Sequence, residues 1–105
     1  MHLVHLYLEH RTLKLNQTYT YLAPSTCVKG MRVRVPFGHQ SLVGFVVKTE
    51  SFKSNQVYDY ELKEVLEVID EVPVLNEELL NLGLWMAQET LAPVVTCFQA
   101  MLPKL

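Results

Sequence analysis

From His2 to Glu9 the apolar residues Val4, Leu6 and Leu8 alternate with His5, Tyr7 and Glu9. This period of two predicts a first strand with one buried face. The polar stretch from Arg11 to Thr18, with Asn16 and Gln17 as turn formers, gives way to Tyr19-Thr20-Tyr21-Leu22, a short second strand that Pro24 stops. Lys29-Gly30 supplies a turn. Beyond it Met31, Val33 and Val35 point one way while Arg32 and Arg34 point the other, which predicts a third strand with a basic outer face, ended by Pro36. Gly38-His39-Gln40-Ser41 turns the chain into a fourth strand, Leu42 to Val47, forming a hairpin with the third. Gly44 leaves room there for a bulge or a close backbone approach.

Glu50 to Asn55 is polar and reads as a mobile loop, followed by Tyr58-Asp59-Tyr60. The run from Leu62 to Ile69 fits a strand or a helix by spacing, and its β-branched Val65, Val68 and Ile69 favour a strand. The helical signal comes later. Asn76 is a good N-cap, and Glu77 and Glu78 stand in the first turn, where the helix dipole favours carboxylates. Leu79, Leu80, Leu82, Leu84, Trp85 and Met86 then cover a broad arc, so a mostly buried helix is expected, with Trp85 in the core. Pro93 at N1 opens a second helix that runs through Phe98 and Met101 to Pro103. Strands first and helices last predict an α+β fold: a small antiparallel β-sheet or partly closed barrel followed by two C-terminal helices.

The length of 105 residues, with 50% hydrophobic and 19% charged positions, allows one small domain over 1–105 and leaves no room for a second core. A formal charge of −2 conceals a division. Residues 1–54 hold seven Lys/Arg against Glu9 and Glu50, net +5, whereas residues 55–105 hold Lys63 and Lys104 against nine carboxylates, net −7. Such a split suggests one basic working face and one acidic flank. Cys27 and Cys97 stand seventy positions apart without a CxxC, so neither a zinc site nor a disulfide framework is indicated. The opening MHLVHLYLEH is too interrupted for a signal peptide, and no apolar run nears the roughly 18 residues of a membrane span. The expectation is a soluble cytoplasmic protein that makes no membrane contact. The ending at Lys104-Leu105, directly after a helix, reads as a domain cut from a longer chain.

Candidate chemistry is sparse. The four glycines are never followed by Lys, which removes a P-loop. His2, His5, His10 and His39 have no partners that the sequence places beside them, so no metal or acid-base role is assigned, and Cys97 reads as a buried small hydrophobe. Glu61, Glu64, Glu67, Asp70 and Glu71 read as a solvated flank. Tyr19 to His39 says more: Tyr19, Tyr21 and Phe37 interleave with Lys29, Arg32 and Arg34 around a glycine turn. Aromatic rings stack on bases and cations meet phosphates, so the mixture suits a single-strand binder as well as it suits an ordinary sheet with a basic outer face.

Four blocks, Gln17-Thr-Tyr-Thr-Tyr-Leu-Ala-Pro24, Gly30-Met-Arg-Val-Arg-Val-Pro-Phe-Gly38, Val43-Gly-Phe-Val-Val47 and Leu62-Lys-Glu-Val-Leu-Glu-Val-Ile-Asp70, resemble the N-terminal 3′ DNA-binding domain of the PriA family of replication-restart helicases. The likeness continues through Trp85-Met-Ala87, Pro93 and Met101-Leu-Pro103. It implies a module that holds the 3′ end of the nascent leading strand at an abandoned fork. The ATPase motors and the zinc site lie downstream in the parent, so no cofactor is expected in this fragment, whereas ATP, Mg and Zn are expected in the parent. The fragment itself is then not an enzyme, although the parent is an ATP-dependent 3′-5′ helicase. Further implied are primosome partners such as single-strand-binding protein, reached through the parent, and a bacterial, nucleoid-associated setting.

By position the family's end-binding pocket falls on Tyr19, Thr20, Gly38 and Lys63, with Arg32, Arg34 and His39 as possible contacts to the DNA backbone. Tyr19 offers a π-face, Gly38 lets backbone approach the sugar, and Lys63 meets phosphate or a base acceptor. Thr20 departs from the pattern, which has an acid there. Its hydroxyl is a weaker acceptor than a carboxylate, so either the hydroxyl substitutes, or Gln17 or Asp59 takes over, or the end is held less tightly. Glu89, Thr90 and Val95 depart too, at positions that concern helix packing. The rival class is a protein-interaction module docking on the helicase core or on single-strand-binding protein.

Overall fold

The structure, a computed structural model, describes residues 1–9, 17–53 and 61–102. Strands β1 (His2–Leu8), β2 (Tyr19–Ala23), β3 (Arg32–Phe37), β4 (Gln40–Ser51) and β5 (Glu67–Val68) precede helices α1 (Glu77–Thr90) and α2 (Val94–Ala100). The strands form one sheet in the order β2-β1-β4-β3-β5, every neighbour antiparallel. The sheet curls until its ends meet. Leu22 of β2 donates to Lys63 O and accepts from Val65 N–H, both at 2.9 Å, while Leu66 and Ile69 N–H donate to Arg34 and Arg32 O. The stretch from 63 to 69 therefore bonds both edges and makes a partly closed barrel, as the order of elements predicts.

Its interior is filled by the alternating residues of the strands. Val4, Leu6, Leu8, Tyr21, Ala23, Val33, Val35 and Val46 form one buried cluster with Cys27. A second cluster lies outside the barrel, where Phe45 meets Leu80, Ala87, Val94, Val95, Cys97 and Phe98 of the helices. A bulge lets β4 serve both. His5 pairs with Lys48 and Leu6 with Val46, so Val47 is extra, and Phe45 and Val47 face the helices while Val46 stays inside. Gly44 is the site of close approach, with Leu6, Tyr7 and Leu8 packed over it.

Gly30 ties the two layers together. Its φ of +90° suits glycine, its N–H donates to Val46 O at 2.8 Å, and its carbonyl accepts from Val74 N–H. A Cβ there would collide with the backbone of Leu75 and the ring of Pro73, so the chain leading into α1 packs directly on this turn.

Several expectations need correction. Pro36 does not end the third strand, because the ladder continues to Phe37↔Gln40 around the two-residue turn Gly38-His39. In that register the Pro36 nitrogen points away from β4, on a side that β5 does not reach, so no hydrogen bond is lost. Glu50 and Ser51 belong to β4 and not to a loop. Residues 54–60, with the rest of the expected loop and Tyr58-Asp59-Tyr60, lie outside the described residues. The run 62–69 is a strand, as its β-branched residues suggest, but a broken one: its partner changes from β2 to β3 midway.

Helix α1 begins as predicted, with Asn76 Oδ1 accepting from Leu79 N–H at 2.9 Å. It is not mostly buried. Leu80, Gly83 and Ala87 are buried along one stripe, whereas Leu82 and Trp85 face outward, Trp85 at 58% exposure. The layer covers only one side of the helix, so Trp85 is not core. The helix ends at Leu91 with φ of 58°, a left-handed cap that costs a Cβ-bearing residue energy. Leu91 is also 79% exposed, so Leu91→Gly should raise stability by about 1 kcal/mol in urea titrations. Pro93 is the N-cap of α2 and not N1, since its ψ of 139° is extended, and the helix stops at Ala100 with Met101 as cap. Cys97 is buried in it, as expected.

Candidate functional site

The ends of three elements converge at one rim of the barrel. β2 brings Tyr19 and Tyr21 toward the interior and Thr20 toward the opposite face, by the period of two. The β3–β4 turn brings Pro36, Phe37 and Gly38, and the closing stretch brings Glu61 and Lys63. Between them lies an open cleft of about 460 Å³, also edged by Gln17 and Thr18. That volume falls within the range of small-molecule sites.

The cleft walls are ordered by specific contacts. Tyr19 and Phe37 pack edge to face, ring centres 5.6 Å apart and planes at 86°, which holds the Tyr19 ring upright at the mouth. Below them the Tyr21 hydroxyl donates to Pro36 O at 2.8 Å and pins β2 to the tip of the β3–β4 hairpin. Burial, and next the neighbouring Tyr19, push the Tyr21 phenol above its ordinary value, so it remains a neutral donor. Gly38 sits at φ of +61°, and a Cβ built there meets nothing within 4 Å. The bare backbone of the turn therefore faces open space. Lys63 is exposed, and among the described residues no carboxylate pairs with its ammonium.

All four positions expected for an end-binding pocket, Tyr19, Thr20, Gly38 and Lys63, thus line one cleft, though they are spread over 45 residues of sequence. Of the two suggested substitutes for an acid at Thr20, Gln17 lines the cleft too, whereas Asp59 lies outside the described residues. Arg32, Arg34 and His39 do not line it.

The two arginines have other partners. Arg32 makes a bidentate pair with Asp70, at 3.0 and 2.8 Å, and Arg34 Nε donates to Glu67 at 3.2 Å. Lys29 likewise pairs with Glu77 at 3.3 Å. All three pairs join the basic half to the acidic half. The expected basic working face is, on β3, neutralised by the closing strand, and the charge split serves to lay that strand against the barrel.

Pro36 and Tyr21, which build the floor, are not among the pocket positions expected from the sequence, and on the outer face behind the cleft the pair His5–Glu50 stands beside Thr20. His5 Nδ1 lies 3.0 Å from Thr20 Oγ1 and its Nε2 lies 2.5 Å from Glu50 Oε1. Only the strand register places residues 5, 20 and 50 together, and no spacing rule reveals it. A larger depression of about 750 Å³ lies between the barrel and α2, edged by Arg34, Ser41, Thr96 and Gln99. Size favours it. The chemistry favours the smaller cleft, because Arg34 is committed to Glu67 and, among the described residues, no aromatic ring edges the larger one.

Residues 8–103 match a family described as the 3′ DNA-binding domain of PriA. The chain is 42% identical over 74 residues to the replication restart protein PriA of Bacillus subtilis (strain 168), covering 70% of this chain and 9% of that protein. It is 27% identical over 95 residues to the protein of the same name from Buchnera aphidicola subsp. Acyrthosiphon pisum (strain APS), covering 89% of this chain and 13% of that one. The chain spans only about a tenth of the length of these relatives. Among the described residues no helix is long and apolar enough to cross a membrane.

Proposed function

The chain belongs to the family of PriA 3′ DNA-binding domains, and from that premise we propose that it holds the 3′ end of a DNA strand in the cleft of Tyr19, Thr20, Gly38 and Lys63. One observation carries the proposal: residues from three separate elements, each suited to a different part of a terminal nucleotide, edge the same space. Tyr19, held upright by Phe37, stacks on the last base, and stacking tolerates any base. Gly38 admits the sugar to the backbone of the turn. Lys63, without a carboxylate partner among the described residues, meets the phosphate that precedes the end.

Selection is for an end and not for a sequence. On this reading the strand runs inward until it meets the floor of Tyr21 and Pro36, where a terminal hydroxyl fits and a continuing phosphodiester would run into that wall. The strand so held is the nascent leading strand of an abandoned fork, and the domain positions a larger replication-restart protein on it. Motor activity, ATP, magnesium, zinc and primosome partners belong to the remainder of such a protein.

The test compares matched oligonucleotides ending in 3′-hydroxyl or 3′-phosphate at low salt. The hydroxyl end should bind more tightly, and equal affinity would overturn end recognition. Tyr19→Ala should cost about 1–3 kcal/mol of binding in the same titration. An unchanged curve would move the base elsewhere.

A further inference from the structure

We propose that Glu61 is a specificity-determining residue of the cleft: its carboxylate accepts the proton of a terminal 3′-hydroxyl and repels a phosphate in the same place. The inference rests on the reading of the cleft as a 3′-end site. It starts from the closing stretch. Leu22 N–H donates to Lys63 O and Val65 N–H donates to Leu22 O, both at 2.9 Å, which lays residues 63–65 extended along β2. Alternate residues of an extended chain share a side. Val65 packs on the barrel interior, so Lys63 and, one repeat earlier, Glu61 stand on that inward side, with Tyr19 and Tyr21. The edge of the cleft shows the same alternation: Glu61 and Lys63 line it, and Leu62 and Glu64 do not.

Glu61 is exposed, and among the described residues no cation pairs with it. Lys63 likewise pairs with no carboxylate there, so two opposite charges edge one opening without a salt bridge between them. A carboxylate at the mouth of a DNA site costs affinity for any strand that places a phosphate beside it. An end-selective site can use that cost. Two residues of extended chain span about 6.6 Å, which is comparable with the step between successive phosphates along a strand. With Lys63 at the phosphate that precedes the last nucleotide, Glu61 falls one step on, where a continuing strand carries its next phosphate and a finished strand carries a hydroxyl. An ionised carboxylate accepts and cannot donate, so the hydroxyl satisfies it and the phosphate does not. This selection is electrostatic and adds to that of the floor.

The test uses one oligonucleotide sequence ending in 3′-hydroxyl, in 3′-deoxy or in 3′-phosphate, titrated at neutral pH and fixed low salt. The wild type should prefer 3′-hydroxyl over 3′-deoxy by about tenfold, the scale of one hydrogen bond to a charged group, and should bind the 3′-phosphate more weakly still. Glu61→Ala should bring the hydroxyl-to-deoxy ratio close to one. Glu61→Gln, which keeps the shape and removes the charge, should bind the 3′-phosphate strand several-fold more tightly than the wild type does. Glu64→Gln is the control, because it removes the same charge from the same stretch at an exposed position that does not line the cleft. It should leave the ratios among the ends unchanged. Ratios that shift as much in Glu64→Gln would assign the discrimination to net charge and overturn the role of Glu61. Ratios that Glu61→Ala and Glu61→Gln leave at the wild-type values would overturn it as well, with the cleft reading intact. A wild type that binds all three ends alike would overturn the cleft reading itself, and this inference with it.

Discussion

Phe98→Ala should destabilise the domain by about 3–5 kcal/mol, the cost of emptying a fully buried aromatic site. The ring has no exposure and joins the two layers. It packs against Phe45 of β4 at 5.4 Å and against Tyr7 of β1 at 6.3 Å, both on the outer face of the barrel. On its other side α1 approaches so closely at Gly83 that a Cβ there would stand 2.5 Å from the ring. Phe45 and Tyr7 are held by strand register and Gly83 has no side chain to move in, so these neighbours do not refill the space. A domain of this size has a total stability of roughly 5–15 kcal/mol, so a large share of it is at stake. Urea unfolding followed by circular dichroism should show the midpoint falling with little change in slope. A loss under about 1 kcal/mol would mean that the helices do not depend on this ring. The cleft belongs to the other cluster, so DNA titrations of this variant should lose amplitude through unfolding while the folded fraction keeps its Kd.

What the sequence discloses of this fold follows from how local each signal is. The alternation in His2–Glu9 and Met31–Val35, the Asn76 cap and the two turn glycines act within a few residues, and β1, β3, α1 and the hairpin stand where those signals put them. Trp85 and Leu82 are exposed, against the expectation of a mostly buried helix, because an apolar arc tells how much of a helix could be covered, not how much is; α1 has a layer on one side only. Glu50 is polar yet lies in a strand, because β4 must reach past its bulge to pair with the start of β1. The cleft shows the same division. Tyr19, Gly38 and Lys63 each carry chemistry readable in place, and a family resemblance joined them. Tyr21 and Pro36 meet only through register across strands, which no single stretch of sequence contains.

The charge split offers the second large effect, through Asp70. This side chain is 9% exposed and accepts three hydrogen bonds from one residue: Arg32 N–H at 2.8 Å, Nε at 3.0 Å and the terminal guanidinium nitrogen at 2.8 Å. Asp70→Ala should cost about 2–3 kcal/mol, because it leaves the Arg32 amide and guanidinium without their partner at the point where the closing strand seals the barrel. The pH dependence has a definite sign. Burial pushes the Asp70 carboxyl up, but the hydrogen bonds from the Arg32 side chain and backbone, with its charge, outweigh this and hold it below the ordinary carboxylate value. A group whose pKa is lowered by folding stabilises the protein at every pH above its unfolded value, about 4, and that stability drains away as the pH falls through the lower, folded value. The difference in urea midpoint between wild type and Asp70→Asn should therefore be constant from pH 5 to 8 and should shrink below about pH 4. If the two curves run parallel into acid, the pair is not what holds the closing strand. The −7 half of the chain would then owe its place to the apolar contacts of Val65 and Val68 with the barrel interior.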